Sequence, residues 1–108
     1  MAIDFVEAEN WIIAKPDFQR LDGAVAQEFT QTVVGHCKTN PDVILDLRNV
    51  TFIDSRGLSS LIAILKGLPS GARLRLANIN EQVDILLTLT RMNTLLTPFL
   101  DVETAMQG

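Results

Sequence analysis

The run Val43-Ile44-Leu45-Asp46-Leu47 is the feature that most restricts what this chain can fold into. A strand sends alternate side chains to opposite faces, so a nearly continuous apolar strand needs cover on both sides. It therefore belongs in the centre of a sheet. The run leads into Thr51-Phe52-Ile53-Asp54-Ser55-Arg56-Gly57-Leu58, after which Leu58, Leu61, Ile62, Leu65 and Leu68 recur at helical spacing. Asp54 and Ser55 thus stand where a helix begins, a place that prefers Asp or Ser as cap. A hydroxyl there is exposed on a rigid scaffold, beside free backbone N–H groups and the positive end of the helix dipole. Such a setting can hold a phosphate.

The flanking segments read as alternating strands and helices. Phe5-Val6-Glu7-Ala8 and Trp11-Ile12-Ile13-Ala14 flank Glu9-Asn10 as a hairpin, and Pro16 ends the second strand. Asp22-Gly23 opens a helix running to about residue 38, with Val25, Phe29, Val33 and Cys37 on one face. Asn40-Pro41-Asp42 and Leu68-Pro69-Ser70-Gly71 are turns. In a strand over residues 73–77, Arg73 and Arg75 alternate with Leu74 and Leu76 as they would at a sheet edge. Val83, Leu86, Leu87 and Thr90 mark a third long helix, capped by Asn80 with Glu81 in its first turn. Thr97-Pro98 breaks the chain before a last edge strand at Phe99-Leu100, and residues 102–106 close as a short helix. This alternation gives an α/β domain spanning residues 1–108, a mixed β-sheet packed against about four helices.

Composition narrows the function. A length of 108 residues allows one core and not two, and 47% apolar residues place the chain among globular proteins. The net charge of −4 and the scattered basic residues argue against nucleic acid as a partner. Cys37 is the only cysteine, so no internal disulfide can form, and the chain suits a reducing compartment. The plain reading of that thiol is a small apolar residue on a buried helix face. Met1-Ala2-Ile3-Asp4 lacks the basic and apolar segments of a secretion signal, and no apolar run approaches the roughly 20 residues that span a bilayer. A cytoplasmic protein without a membrane partner is expected. His36 has no companion for a dyad or a metal site, and suits a surface near a helix C-terminus. Trp11 and Phe18 read as packing residues, Met92 and Met106 as gap fillers. Without a Gly-rich phosphate loop, a nucleophile elbow or an acid pair beside a histidine, no enzyme, cofactor or metal is expected.

Strand, then Phe52-Ile53-Asp54-Ser55-Arg56-Gly57-Leu58, then an apolar helix, resembles the STAS domain of bacterial anti-sigma factor antagonists. Leu21-Asp22 before the first long helix matches the family's Leu-Asp element. The segment from Asn80 through Val83, Leu87, Thr90 and Leu95 to Leu96 is similar to its third helix and exit. The resemblance implies a monomeric partner-switching protein. The unmodified form would bind an anti-sigma factor that is also a serine kinase of the histidine-kinase-like ATPase type, releasing a sigma factor or another held target. The kinase would phosphorylate the serine after the motif Asp, here Ser55, and break the complex; a serine phosphatase would reset it. Asp22, Asp54, Arg56, Gly57, Leu58 and Ser59 would form the partner-binding surface. Arg56 departs from the family's usual Ser or Thr, and Ser59 from a common Gly.

Phosphorylation adds roughly −1.5 to −2 charges and three acceptor oxygens. A helix start tolerates them, so the effect should fall on a partner docked over Ser55. Arg56 can bond that phosphate and soften the effect. Ser55 is otherwise a simple N-cap, although Asp54 serves equally well. Asp22 either caps the first long helix or lies beside Ser55 and helps place a metal or phosphoryl group during transfer. The alternative function is a constitutive STAS subunit of a transporter or other assembly, with Ser55 only a cap or contact.

Overall fold

Glu9 and Asn10 both take left-handed backbone conformations, with φ of 51° and 72°. A two-residue hairpin turn needs that geometry, and Asn supports it at little cost. In the computed structural model, which describes residues 1–38 and 42–108, β1 (Ile3–Ala8) and β2 (Trp11–Pro16) consequently pair antiparallel, Ala8 opposite Trp11 and Ile3 opposite Pro16. The expected turn at Asn40-Pro41 lies outside the described residues. The chain continues through β3 (Arg20–Leu21), α1 (Ala26–His36), β4 (Val43–Asp46), β5 (Phe52–Ile53) and α2 (Ser55–Gly67). It ends with β6 (Leu74–Ala77), α3 (Glu81–Leu89), a 3-10 turn (Met92–Thr94), β7 (Thr97–Phe99) and α4 (Val102–Gln107).

Five strands form one mixed sheet in the order β1-β2-β4-β6-β7, parallel except for the hairpin. Every residue of β4 is buried, as its apolar run requires. Val43 and Leu45 point to one face and join Ile12, Ala14, Leu74 and Leu76 beneath α1, α2 and α3. Ile44 points to the other and meets Trp11, Ala77 and Ala105. One helix of six residues, α4, covers that second face.

This thin cover explains the arginines. β6 lies between β4 and β7 and is no edge strand, contrary to the alternation of its side chains. The Arg73 and Arg75 guanidinium groups sit 4.5 and 4.9 Å from the Trp11 ring centroid. Arg75 also donates to the Ala105 carbonyl at 2.6 Å, near the end of α4. Arg73 forms an ion pair with Asp42 at 2.7 Å, and that hydrogen bond holds the Asp42 carboxyl below the usual carboxylate range. The true edge is β7. Thr97 and Pro98 belong to it rather than breaking the chain before it, because an edge strand can spare the missing Pro N–H.

Two helices differ from the expected register. α1 begins at Ala26, because Asp22 organises a turn instead of capping the helix. Its carboxylate accepts from the Ala24 N–H at 3.0 Å, and its carbonyl from those of Val25 and Ala26 at 3.2 and 2.9 Å. In α2 the buried stripe is Gly57, Ser60, Leu61 and Ile64, continued by Leu68 just past the helix, while Leu58, Ile62 and Leu65 are half-buried beside it. The small residues Gly57 and Ser60 are enclosed by close approach, which turns the helix away from the phase that the leucines alone imply. Ser60 Oγ donates to the Gly57 carbonyl at 2.6 Å, so its burial leaves no orphan.

Cys37 is fully buried just past α1, and burial pushes its thiol up to about 11. The reactive thiolate is therefore scarce at neutral pH. The native protein is expected to resist iodoacetamide at pH 8 and to take up one equivalent after denaturation. Rapid alkylation of the folded protein, read by intact mass, would contradict this placement. His36 is exposed in the last turn of α1, where its ring stacks on Phe5 with centroids 3.8 Å apart.

Candidate functional site at the start of α2

A two-stranded parallel ladder builds the junction. β3 pairs with β5, Arg20 opposite Phe52 and Leu21 opposite Ile53. The Gln19 carbonyl accepts from the N–H groups of Thr51 and Phe52, and the Leu21 carbonyl from that of Asp54. The segment bearing Asp22 is thereby fixed beside the one bearing Asp54 and Ser55. Each strand has two residues, too short to show an alternating pattern in sequence.

Asp54 is the N-cap. Its backbone is extended, and Oδ1 accepts the Gly57 N–H at 2.8 Å. The Leu58 N–H bonds the Asp54 carbonyl at 2.9 Å. Of the four N–H groups that a helix start leaves unpaired, those of Ser55 and Arg56 remain without partners among the described residues. Ser55 is the first helical residue, exposed, and its hydroxyl makes no hydrogen bond among the described residues. The capping role therefore rests on Asp54 alone. Asp54→Ala is expected to cost about 1 kcal/mol, lowering the melting temperature by about 4–8 °C, whereas Ser55→Ala should stay within about 0.5 kcal/mol of wild type. Thermal melts of the two variants check the assignment; equal losses would contradict it.

The surrounding residues divide into an interior and an exposed set. Gly57 is buried, and a Cβ there would stand 1.9 Å from the Leu21 carbonyl oxygen. Its contribution is to let α2 approach β3. Leu58 is half-buried and packs on the core. Arg56 and Ser59 are exposed and line a shallow groove between α1 and α2 with Gln27 and Thr30. Arg56 lies across the loop before α1, its Cδ and Nη1 each 2.7 Å from the place a Gly23 Cβ would take. The exposed part of the expected surface is thus Arg56 and Ser59 next to Ser55.

Two features escaped the sequence. Arg20 bonds Asp22 at 3.4 Å and lays its guanidinium 4.1 Å from the Phe52 ring centroid. An exposed ion pair of this kind contributes little stability. Phe52, Ile85 and Leu89 are exposed, at 39%, 50% and 77%. They wall an apolar groove of about 320 Å³ between β5 and α3. Its sequence signal was Ile85 and Leu89, an i, i+4 apolar pair off the buried Val83–Leu87 face. Contiguous exposed apolar surface marks interaction sites.

Among the described residues no cluster of His, Cys, Asp or Glu could hold a metal ion. Among the same residues no helix is long and apolar enough to cross a membrane.

The STAS domain family model matches residues 3–105. A Thermotoga maritima protein assigned as an anti-sigma factor antagonist superposes with a TM-score of 0.87 at 24% identity, over 97% of this chain and 92% of that one. The antagonist SpoIIAA of Bacillus is similar in its unphosphorylated form, with a TM-score of 0.77 at 14% identity over 98% and 95% of the two chains. Its phosphorylated form gives 0.69 at 13% identity over 98% of each. The murine solute carrier 26 family member A9 anion transporter contains the same fold, with a TM-score of 0.74 at 21% identity over 94% of this chain and 18% of that one. At such identities these likenesses establish the fold. No curated relative matches the chain in sequence.

Proposed function

The chain belongs to the STAS domain family, and on that premise we propose that it is a bacterial, cytoplasmic anti-sigma factor antagonist that switches partners by phosphorylation of Ser55. Unmodified, it binds an anti-sigma factor that is also a serine kinase of the histidine-kinase-like ATPase type, and that binding frees the factor's target. In the transfer, Ser55 Oγ attacks the γ-phosphorus of ATP, the bond to the ADP oxygen breaks, and the hydroxyl proton passes to a base of the kinase. A serine phosphatase restores the hydroxyl. Ser55, Asp54, Asp22, Arg56, Gly57, Leu58 and Ser59 make up the switch region, Gly57 and Leu58 by shaping it from beneath.

The observation that carries this reading is the state of Ser55: exposed, first in its helix, free of side-chain hydrogen bonds among the described residues and relieved of the cap by Asp54. Nothing in the fold needs that hydroxyl, so it is open to a kinase. The reading is tested by intact-mass measurement on the protein mixed with ATP and a serine kinase of the histidine-kinase-like ATPase type from its own genome. One added phosphate, lost in Ser55→Ala, supports it; no added mass, or an unchanged gain in Ser55→Ala, overturns it.

A second reading has one observation in its favour, the occurrence of this fold inside the murine anion transporter. On that reading the chain is a constitutive subunit of a transporter or similar assembly, and the same measurement would find no phosphate with the assembly still formed.

A further inference from the structure

The outer face of α3 is an exception among the described helices. The exposed positions of α1, α2 and α4 hold no large apolar side chain, whereas α3 exposes Ile85 at 50% and Leu89 at 77%. A surface helix ordinarily turns one apolar stripe to the core and a polar one to water. Here Val83 and Leu87 already fill the core stripe, so Ile85 and Leu89, one turn apart, form a second. That stripe borders the groove lined by Phe52, Gln82 and Leu86.

We propose that this face pairs with the same face of a second copy of the chain, antiparallel about a two-fold axis. The charges select that occupant. Glu81, Ile85 and Leu89 recur at every fourth residue, on one side of α3, and Arg91 follows just past its end. Glu81 and Arg91 are exposed, and neither has an ion-pair partner among the described residues. With the axis at Ile85, the Glu81 end of each copy meets the Arg91 end of the other. The contact is made twice, and the two helix dipoles oppose each other. Leu89 of each copy then faces the groove beside Gln82 and Phe52 of the other. Parallel pairing would set like charge on like. A helix of nine residues is about 13 Å long, so the contact is small and the dimer belongs to the weak, reversible class. The pairing is independent of any modification at Ser55.

Sedimentation equilibrium tests this on wild type, Leu89→Asp, Glu81→Arg and the double variant Glu81→Arg/Arg91→Glu. Wild type is expected to dimerise reversibly, with a dissociation constant of roughly 10–100 μM. Leu89→Asp should be monomeric over the same range, and Ile85→Gln should repeat that loss from the neighbouring position. Both side chains are exposed, so melting temperatures should stay close to wild type. Glu81→Arg turns two attractive contacts repulsive and should weaken the dimer about fivefold or more, whereas the double variant should recover most of that loss. A wild type still monomeric at about 1 mM would overturn the inference and leave the face to a different partner. It would equally be overturned by a dimer indifferent to Leu89→Asp, or by a double variant no tighter than Glu81→Arg.

Discussion

Gly57→Ala is expected to lower the melting temperature by about 10 °C or more, corresponding to an overpacking cost of roughly 2–3 kcal/mol in a domain of this size. In an isolated helix the same change would stabilise by up to about 1 kcal/mol, because alanine is the better helix former. The clash decides the sign. The new Cβ would stand 1.9 Å from the Leu21 carbonyl oxygen, a backbone atom that also accepts the Asp54 N–H. No side chain can swing aside, so α2 must lift from β3 or the ladder must part. Gly35→Ala is the matching control. It lies in α1 with nothing within 4 Å of the added carbon, and it should gain stability. Thermal melts of both variants decide the matter: if Gly57→Ala melts within about 2 °C of wild type, the close approach of α2 to β3 is wrong.

The same glycine shows where sequence reading succeeded and where it slipped. The apolar run of β4, the Asp54 cap, the Asn80 cap of α3 and the terminal helix were all legible, because each rests on a local rule of spacing or capping. The phase of α2 was not. Periodicity weighs leucines, while the buried stripe is set by Gly57 and Ser60, which are enclosed by a neighbour and not by their own hydrophobicity. β3 and β5 escaped because two residues carry no period. Arg73 and Arg75 looked like an edge because their charge is answered far along the chain, by Trp11, Asp42 and the end of α4. Of the candidate surface, Asp54, Ser55, Arg56 and Ser59 were readable as positions. The tertiary facts that give them meaning, the Gly23 seat of Arg56 and the apolar groove at Phe52, Ile85 and Leu89, depend on elements distant in sequence.

On the proposed reading, stability and switching fall on different atoms of one turn. Asp54 and Gly57 hold α2 to β3 from within, while Ser55 and Arg56 are exposed, with side-chain groups unpaired among the described residues. On that reading a modification at Ser55 changes a docking surface without unfolding the domain.

Ser55→Glu should expose that division. The carboxylate carries one charge and two oxygens, against roughly two charges and three oxygens for phosphate, so it reproduces the modified state only in part. A charge buried at an interface without a partner costs its desolvation, so even a partial mimic is expected to weaken partner binding roughly tenfold or more. The fold should respond in the opposite sense. An acid in the first helical turn gains about 0.3–1 kcal/mol from the dipole, so Ser55→Glu should melt no lower than Ser55→Ala. Calorimetric titration with the proposed partner kinase, beside melts of both variants, reads the two effects separately. Affinity lost with stability kept places the switch at the docking surface. A Ser55→Glu protein that melts well below Ser55→Ala would mean that negative charge acts by loosening α2, and the interface mechanism would be wrong.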